Sequence, residues 1–176
     1  MKKSLLFILL TLIFIGGYAQ TKHVGIKAGV NFASLTGDGL DGLEDKTGYH
    51  IGVTGELGLN DNFSIQPEIM YSTQGAKLED IDFDIDYINV PLLAKFYMVK
   101  NVSFMVGPQF GYVISDNFDA LETDSLKDFD LSGAVGVEAR ILSFFVQARY
   151  NFGLSDVMDS EAKNAVFQFS VGHNFL

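Results

Sequence analysis

The chain has no cysteine and no tryptophan in its 176 residues, only three prolines, and 12 basic residues against 22 acidic ones. The missing cysteine excludes disulfides and thiolate-held metals, so backbone pairing and packing must carry the fold. The shortage of lysine and arginine excludes the basic patches of a nucleic-acid binder. Past the first 19 residues there is also no run of the roughly 20 apolar residues that a spanning helix requires. Yet 48% of the chain is hydrophobic and 16 residues are phenylalanine. So much apolar surface, delivered in short pieces, needs a greasy environment on one face of something else.

The first 19 residues read as a secretory leader. Lys2 and Lys3 precede an apolar stretch over residues 5–15, and Gly17-Tyr18-Ala19 supplies a small-residue cleavage site before Gln20. The stretch is too short for an anchor, and no cysteine follows it for lipid attachment. Residues 20–176 then form one mature domain. Removing Lys2 and Lys3 leaves 10 basic residues against 22 acidic, so the net charge moves from −10 to −12.

The mature part is a series of eight period-two runs. Val24, Ile26, Ala28, Val30 and Phe32 alternate with Gly25, Lys27, Gly29 and Asn31; Val102, Phe104, Val106, Phe110 and Tyr112 alternate with Ser103, Gly107, Gln109 and Gly111. Such alternation is the strand signature. Long acidic gaps (35–47, 75–84, 116–128, 155–163) take turns with short ones (60–62, 99–101, 141–143). That rhythm is an up-and-down sheet with its elaboration at one end, and it predicts an all-β fold: an eight-stranded antiparallel up-and-down transmembrane β-barrel.

The composition of the faces sets the orientation. The bulky face is Phe, Leu, Ile, Val and Tyr; the other is Gly, Ser, Asn and Gln with a few charges of both signs. A soluble barrel would show water many more charges, so the bulky face is expected to meet lipid and the small polar face to fill the lumen. On the polar face lie Lys27, Glu56, Glu68, Lys95, Glu138, Arg140 and Arg149. If each hairpin folds symmetrically, Glu68 faces Lys95, Lys27 faces Glu56, and Glu138 lies diagonal to Arg149. Mixed signs at matched depth are what a plugged lumen requires, since one buried charge alone is costly. This network is a structural set, not a catalytic one.

Two irregularities carry local expectations. Apolar residues are odd-numbered from Ile81 to Tyr87 and even-numbered from Ile88 onward, which predicts a β-bulge near Tyr87 and Ile88. Pro67, Pro91 and Pro108 all fall inside strands, where they predict bulges or missing ladder bonds.

Chemistry is thinly represented. His23 and His173 fall near the short-turn end, and His50 sits toward the outer end of the second strand, within possible reach of Ser72 or Ser115. No His-x-Ser pair occurs on any strand, and a lone lumen histidine is usually a hydrogen-bonded filler, so no enzyme activity is expected. Asp80, Asp82, Asp84 and Asp86, and the acidic glycine-rich segment 36–42, offer oxygen ligands without EF-hand spacing. Solvated loops account for both, and neither a metal nor a cofactor is expected.

Four stretches occur together: Gln66-Pro67-Glu68-Ile69-Met70-Tyr71-Ser72, Tyr87-Ile88-Asn89-Val90-Pro91-Leu92-Leu93-Ala94-Lys95, Val106-Gly107-Pro108-Gln109-Phe110-Gly111 and Gly172-His173-Asn174-Phe175. In this order they resemble the PorT-type outer-membrane β-barrel family of Gram-negative bacteria. The resemblance implies an eight-stranded outer-membrane barrel, with Glu68 and Lys95 at the family's charged strand positions. Two departures stand out: Asn89 occupies a position that is usually acidic, and the chain ends Phe175-Leu176 rather than on the aromatic.

The expectation is a small monomeric outer-membrane barrel, in contact with outer-membrane lipid and lipopolysaccharide, with a structural, adhesive or interaction role. Its acidic outer loops would meet an envelope or extracellular protein partner, and nucleic acid is excluded. The alternatives are a narrow pore or small-ligand transport barrel, and a soluble periplasmic lipid-binding barrel.

Overall fold

The computed structural model describes residues 20–36, 43–78, 81–116, 129–154 and 163–175. Residues 1–19, expected to be a leader, and most of the acidic connections therefore lie outside the described residues. Eight strands follow one another: β1 (Gln20–Thr36), β2 (Leu43–Gly58), β3 (Phe63–Leu78), β4 (Ile81–Val99), β5 (Val102–Asp116), β6 (Phe129–Ile141), β7 (Phe144–Gly153) and β8 (Lys163–Asn174). Each pairs antiparallel with the next, and β8 pairs with β1, closing the barrel in sequence order. Closure leaves no strand edge in the cylinder wall, the condition for a sheet to sit in hydrocarbon.

Strand pairing reaches further into the acidic segments than their composition implied. β3 runs to Leu78 and β4 starts at Ile81, so the expected gap of 75–84 shrinks to residues 79–80. The alternation Ile81-Asp82-Phe83-Asp84-Ile85-Asp86 is itself a strand pattern, acids included.

The orientation is greasy side out. Phe104, Val106, Phe152 and Phe169 are exposed, Phe169 at 50%, whereas Glu68 and Lys95 are 2% and 0% exposed. A water-soluble barrel needs the reverse arrangement, which sets that alternative aside. Aromatic pairs mark both ends of the apolar band. Tyr49 and Tyr71 lie 6.0 Å apart toward the outer end, and Phe63 and Phe96 lie 4.9 Å apart at the short-turn end. There the His173 ring also stands 4.8 Å from Phe144 and 5.4 Å from Phe175. Such girdles sit where rings with an apolar body and a polar rim meet headgroups.

The bulge lies where the sequence placed it, but on the other strand and for another reason. Pairing shifts between Asp86↔Ser115 and Tyr87↔Val113, so the additional residue is Ile114 on β5. β4 keeps its alternation: Ile85 and Tyr87 are buried on the same side as Asn89. Ile85 and Tyr87 thus turn into the lumen mouth. The prolines interrupt the ladder without shifting register. Pairs are missing beside Pro67, Pro91 and Pro108, while the register resumes unchanged on either side. Each removes an N–H donor and nothing more.

Candidate functional site

Among the described residues the lumen is where ionisable side chains converge, and it is built from every strand. Glu68 on β3 is its centre. Its Oε2 accepts hydrogen bonds from Lys27 Nζ of β1 (2.7 Å) and Arg149 Nη1 of β7 (2.9 Å). Its Oε1 accepts from Arg149 Nη2 (2.7 Å) and Gln66 Nε2 (2.7 Å). The two parallel Arg149 bonds form the planar fork that fixes both groups in one geometry.

A second cluster lies nearer the short turns. Lys95 Nζ donates to Glu138 Oε1 (2.6 Å), to Gln66 Oε1 (2.9 Å) and to Glu56 Oε2 (3.2 Å). Arg140 Nη2 reaches the same two carboxylates, Glu56 at 2.8 Å and Glu138 at 3.0 Å. Tyr97, two residues beyond Lys95 on the inward face, closes the set by donating its hydroxyl to Glu56. Two glutamines join the clusters. Gln66 bonds both Glu68 and Lys95. Gln147 accepts from Lys27 and Arg149, both at 2.9 Å, and donates to Glu138 at 3.4 Å. Four cations thus face three carboxylates, and Asp130, buried higher in the lumen, brings the acids to four.

All seven charged residues named from the sequence are in this assembly, but with different partners. Glu68 pairs with Lys27 and Arg149 rather than Lys95; Lys95 pairs with Glu56 and Glu138; Glu138 meets Lys95 and Arg140 rather than Arg149. In register, Lys95 stands opposite Ser64 and Lys27 opposite Gly52. Stepping from partner to partner around the cylinder carries Val24 back to β1 at Ser34, ten residues further along. That stagger tilts the strands. Residues at one height are then drawn from non-adjacent strands, and long side chains meet across the axis rather than across a hairpin.

Above the charges lies a neutral network. Asn31 Nδ2 is directed at the carbonyls of Tyr49 (3.1 Å) and Thr73 (2.9 Å) and at Ser72 Oγ (2.9 Å). Carbonyls only accept, so Asn31 Oδ1 must be the atom facing His50 Nδ1 at 2.7 Å, and Nδ1 carries the imidazole proton. His50 Nε2 then accepts from Ser170 Oγ at 2.7 Å. Gly29 makes room for the ring, because a Cβ there would lie 2.8 Å from His50 Cε1 and 1.8 Å from the Phe169 carbonyl oxygen. His50 therefore meets Ser170, which the sequence did not single out; Ser72 joins through Asn31, and Ser115 is not brought to it. His50 and Ser170 are both buried, which leaves this chain the look of a packed filler.

Sequence reasoning missed Tyr97, the bridging Gln66 and Gln147, and the Asn31–His50–Ser170 chain. The signal was available, since all except Tyr97 belong to the polar face already traced. Of the candidate calcium ligands, Asp80 and residues 37–42 lie outside the described residues. Among the described residues no group of three or more His, Asp or Glu is placed to hold a metal.

In sequence, residues 18–159 match the model of the outer-membrane protein β-barrel domain. No curated protein matches the chain. In structure, it is similar to Ail, the attachment invasion locus protein of Yersinia pestis. The two share 18% identity and a TM-score of 0.58, over 87% of this chain and 98% of that one. Ail in complex with the heparin analogue sucrose octasulfate shares 20% identity at a TM-score of 0.54, over 87% and 98%. Neisserial surface protein A shares 15% identity at 0.62, over 86% and 97%. At such identities the likeness is one of fold. The match over most of its length agrees with the closed eight-stranded wall and outward apolar band, and the chain belongs to the outer-membrane protein β-barrel domain family.

Proposed function

We propose that this protein is a closed, monomeric outer-membrane scaffold of the PorT type, which presents acidic external segments to a protein partner. The observation that carries this reading is the filled lumen. Lys27, Glu68, Lys95 and Arg149 are all buried and bonded to groups from opposite walls, so the seven charged residues hold the cylinder rigid rather than line a path. That weighs against the pore reading and against catalysis in the barrel. The four-motif resemblance supports the PorT-type assignment, and cleavage after Ala19 would deliver the mature chain to the envelope.

What remains for function is the outside. Segments 37–42, 79–80, 117–128 and 155–162 hold eleven acidic residues, with Lys127 their single base. Ail is named for attachment, a precedent for a barrel of this size acting at a surface, and the heparin analogue in one of its structures is a polyanion. Acidic segments repel a polyanion, so the partner of this chain is expected to be basic at its contact surface.

Two measurements test the proposal. Purified protein in planar bilayers should show no conductance; steady channel activity would overturn the closed-scaffold reading. Cross-linking on intact cells should capture a partner that is lost when Asp119, Glu122, Asp124 and Asp128 are changed to their amides. Unchanged capture would remove the acidic segments from the account.

A further inference from the structure

At its short-turn end the plug stops short of the barrel mouth. A polar cavity of about 260 Å³ remains there, walled by the turns after β2 and β4 and floored by Arg140 and Tyr97. In an outer-membrane barrel this end opens to the periplasm. We propose that this vestibule is a binding site for a peptide carboxylate presented from the periplasm. The idea is separate from the reading of the outer segments and stands or falls without it.

The argument starts at Arg140. Its Nη2 is held by Glu56 and Glu138, at 2.8 and 3.0 Å, which fixes the guanidinium plane. Its Nε–H is buried and has no acceptor among the described residues. A buried donor of this kind is costly unless an acceptor arrives. The carboxylates behind it are already occupied: Glu56 by Lys95, Arg140 and Tyr97, and Glu138 by Lys95, Arg140 and Gln147. The Arg140 side chain still shows 15% of its surface and lines the vestibule, so a ligand there meets a cation whose own carboxylates are already shared. Lys100 and Asn62, on the two exposed turns, add an ammonium and an amide at the rim.

The same lining selects among anions. Asp61 is its one acid, and Glu56 and Glu138 lie behind the floor. A singly charged, planar carboxylate suits an arginine edge in such surroundings, whereas a doubly charged phosphate meets more repulsion. The wall also includes Met98, 63% exposed, which gives a side chain next to the carboxylate an apolar surface to rest on. A peptide terminus supplies both groups; a bare inorganic ion supplies one.

The test uses the full mature chain in lipid nanodiscs, with backbone amide resonances as the readout. N-acetyl-alanyl-alanine should produce saturable shifts at Asn62 and Lys100, and its carboxamide should not. Lys100→Gln, on an exposed turn, should weaken the response about tenfold, equivalent to about 1.4 kcal/mol. Arg140→Gln should abolish it, scored only if heat-modifiable migration shows an intact barrel. No saturable shift, an equal response to the carboxamide, or tighter binding of inorganic phosphate or of phospholipid headgroup analogues would each overturn the assignment.

Discussion

The two halves of the lumen solve one problem in opposite ways. Toward the periplasm each carboxylate receives donors from three different side chains, and the ionic residues interlock across the axis. Toward the outside the filling is mostly neutral, centred on Asn31 and His50 with Asp130 as its one buried acid among the described residues, and part of it is unmatched. Among the described residues, Tyr87 Oη, Asn89 Nδ2, Gln109 Oε1 and both polar atoms of Asn151 are buried there without a protein partner, whereas the ionic half leaves Ser64 Oγ and the Nε–H groups of Arg140 and Arg149. Charges can be buried only as a complete set, because a lone ion in a low dielectric costs several kcal/mol. Neutral amides tolerate water as a partner. The seal therefore lies in the inner half, and the outer half is expected to be hydrated.

Substitutions at four positions test that contrast. Glu68→Ala strips Lys27 and Arg149 of their carboxylate together and should cost about 3–5 kcal/mol in urea unfolding from lipid vesicles. It should also be the variant that first shows conductance. Lys95→Met should cost less, about 1.5–3 kcal/mol, because Arg140 still holds Glu56 and Glu138. Asn31→Ala, in the neutral half, should cost about 1–2 kcal/mol by leaving His50 and Gln168 without their acceptor, with no conductance. Asn151→Ala removes an amide that bonds to no protein group and should change stability by no more than about 0.5 kcal/mol. If the two asparagine variants matched Glu68→Ala, the division of the lumen would be wrong.

Much of this was legible in the residues. Period-two alternation placed all eight strands, and the poverty of the minor face in exposed-type charges gave its inward direction. The seven ionic residues could be named because each interrupts a run of Gly, Ser, Asn and Gln. Their pairing could not be read. The expected pairing of Glu68 with Lys95 fails already in the hairpin, where Lys95 stands opposite Ser64, and the ten-residue stagger around the closed wall brings Lys27 and Arg149 to Glu68 instead. Closure is a property of the whole sheet, and no single hairpin encodes it. The bulge illustrates the same limit: a parity change in β4 marked the right height, yet Ile85 and Tyr87 simply turn inward while β5 takes the additional residue. Above the lipid boundary the outer face no longer has to be apolar, so the pattern loses its meaning there.

Pro67, Pro91 and Pro108 stand almost side by side on β3, β4 and β5, with Pro67 paired to Leu92 and Pro91 to Gln109. Two successive pairs drop out of the ladder beside each proline while the register runs on, so three adjacent ladders thin together in this part of the wall. Lateral tension from a thickening or thinning bilayer will concentrate on it. Deuterium uptake by the amides flanking the three imino acids should report any parting of the staves before other positions respond.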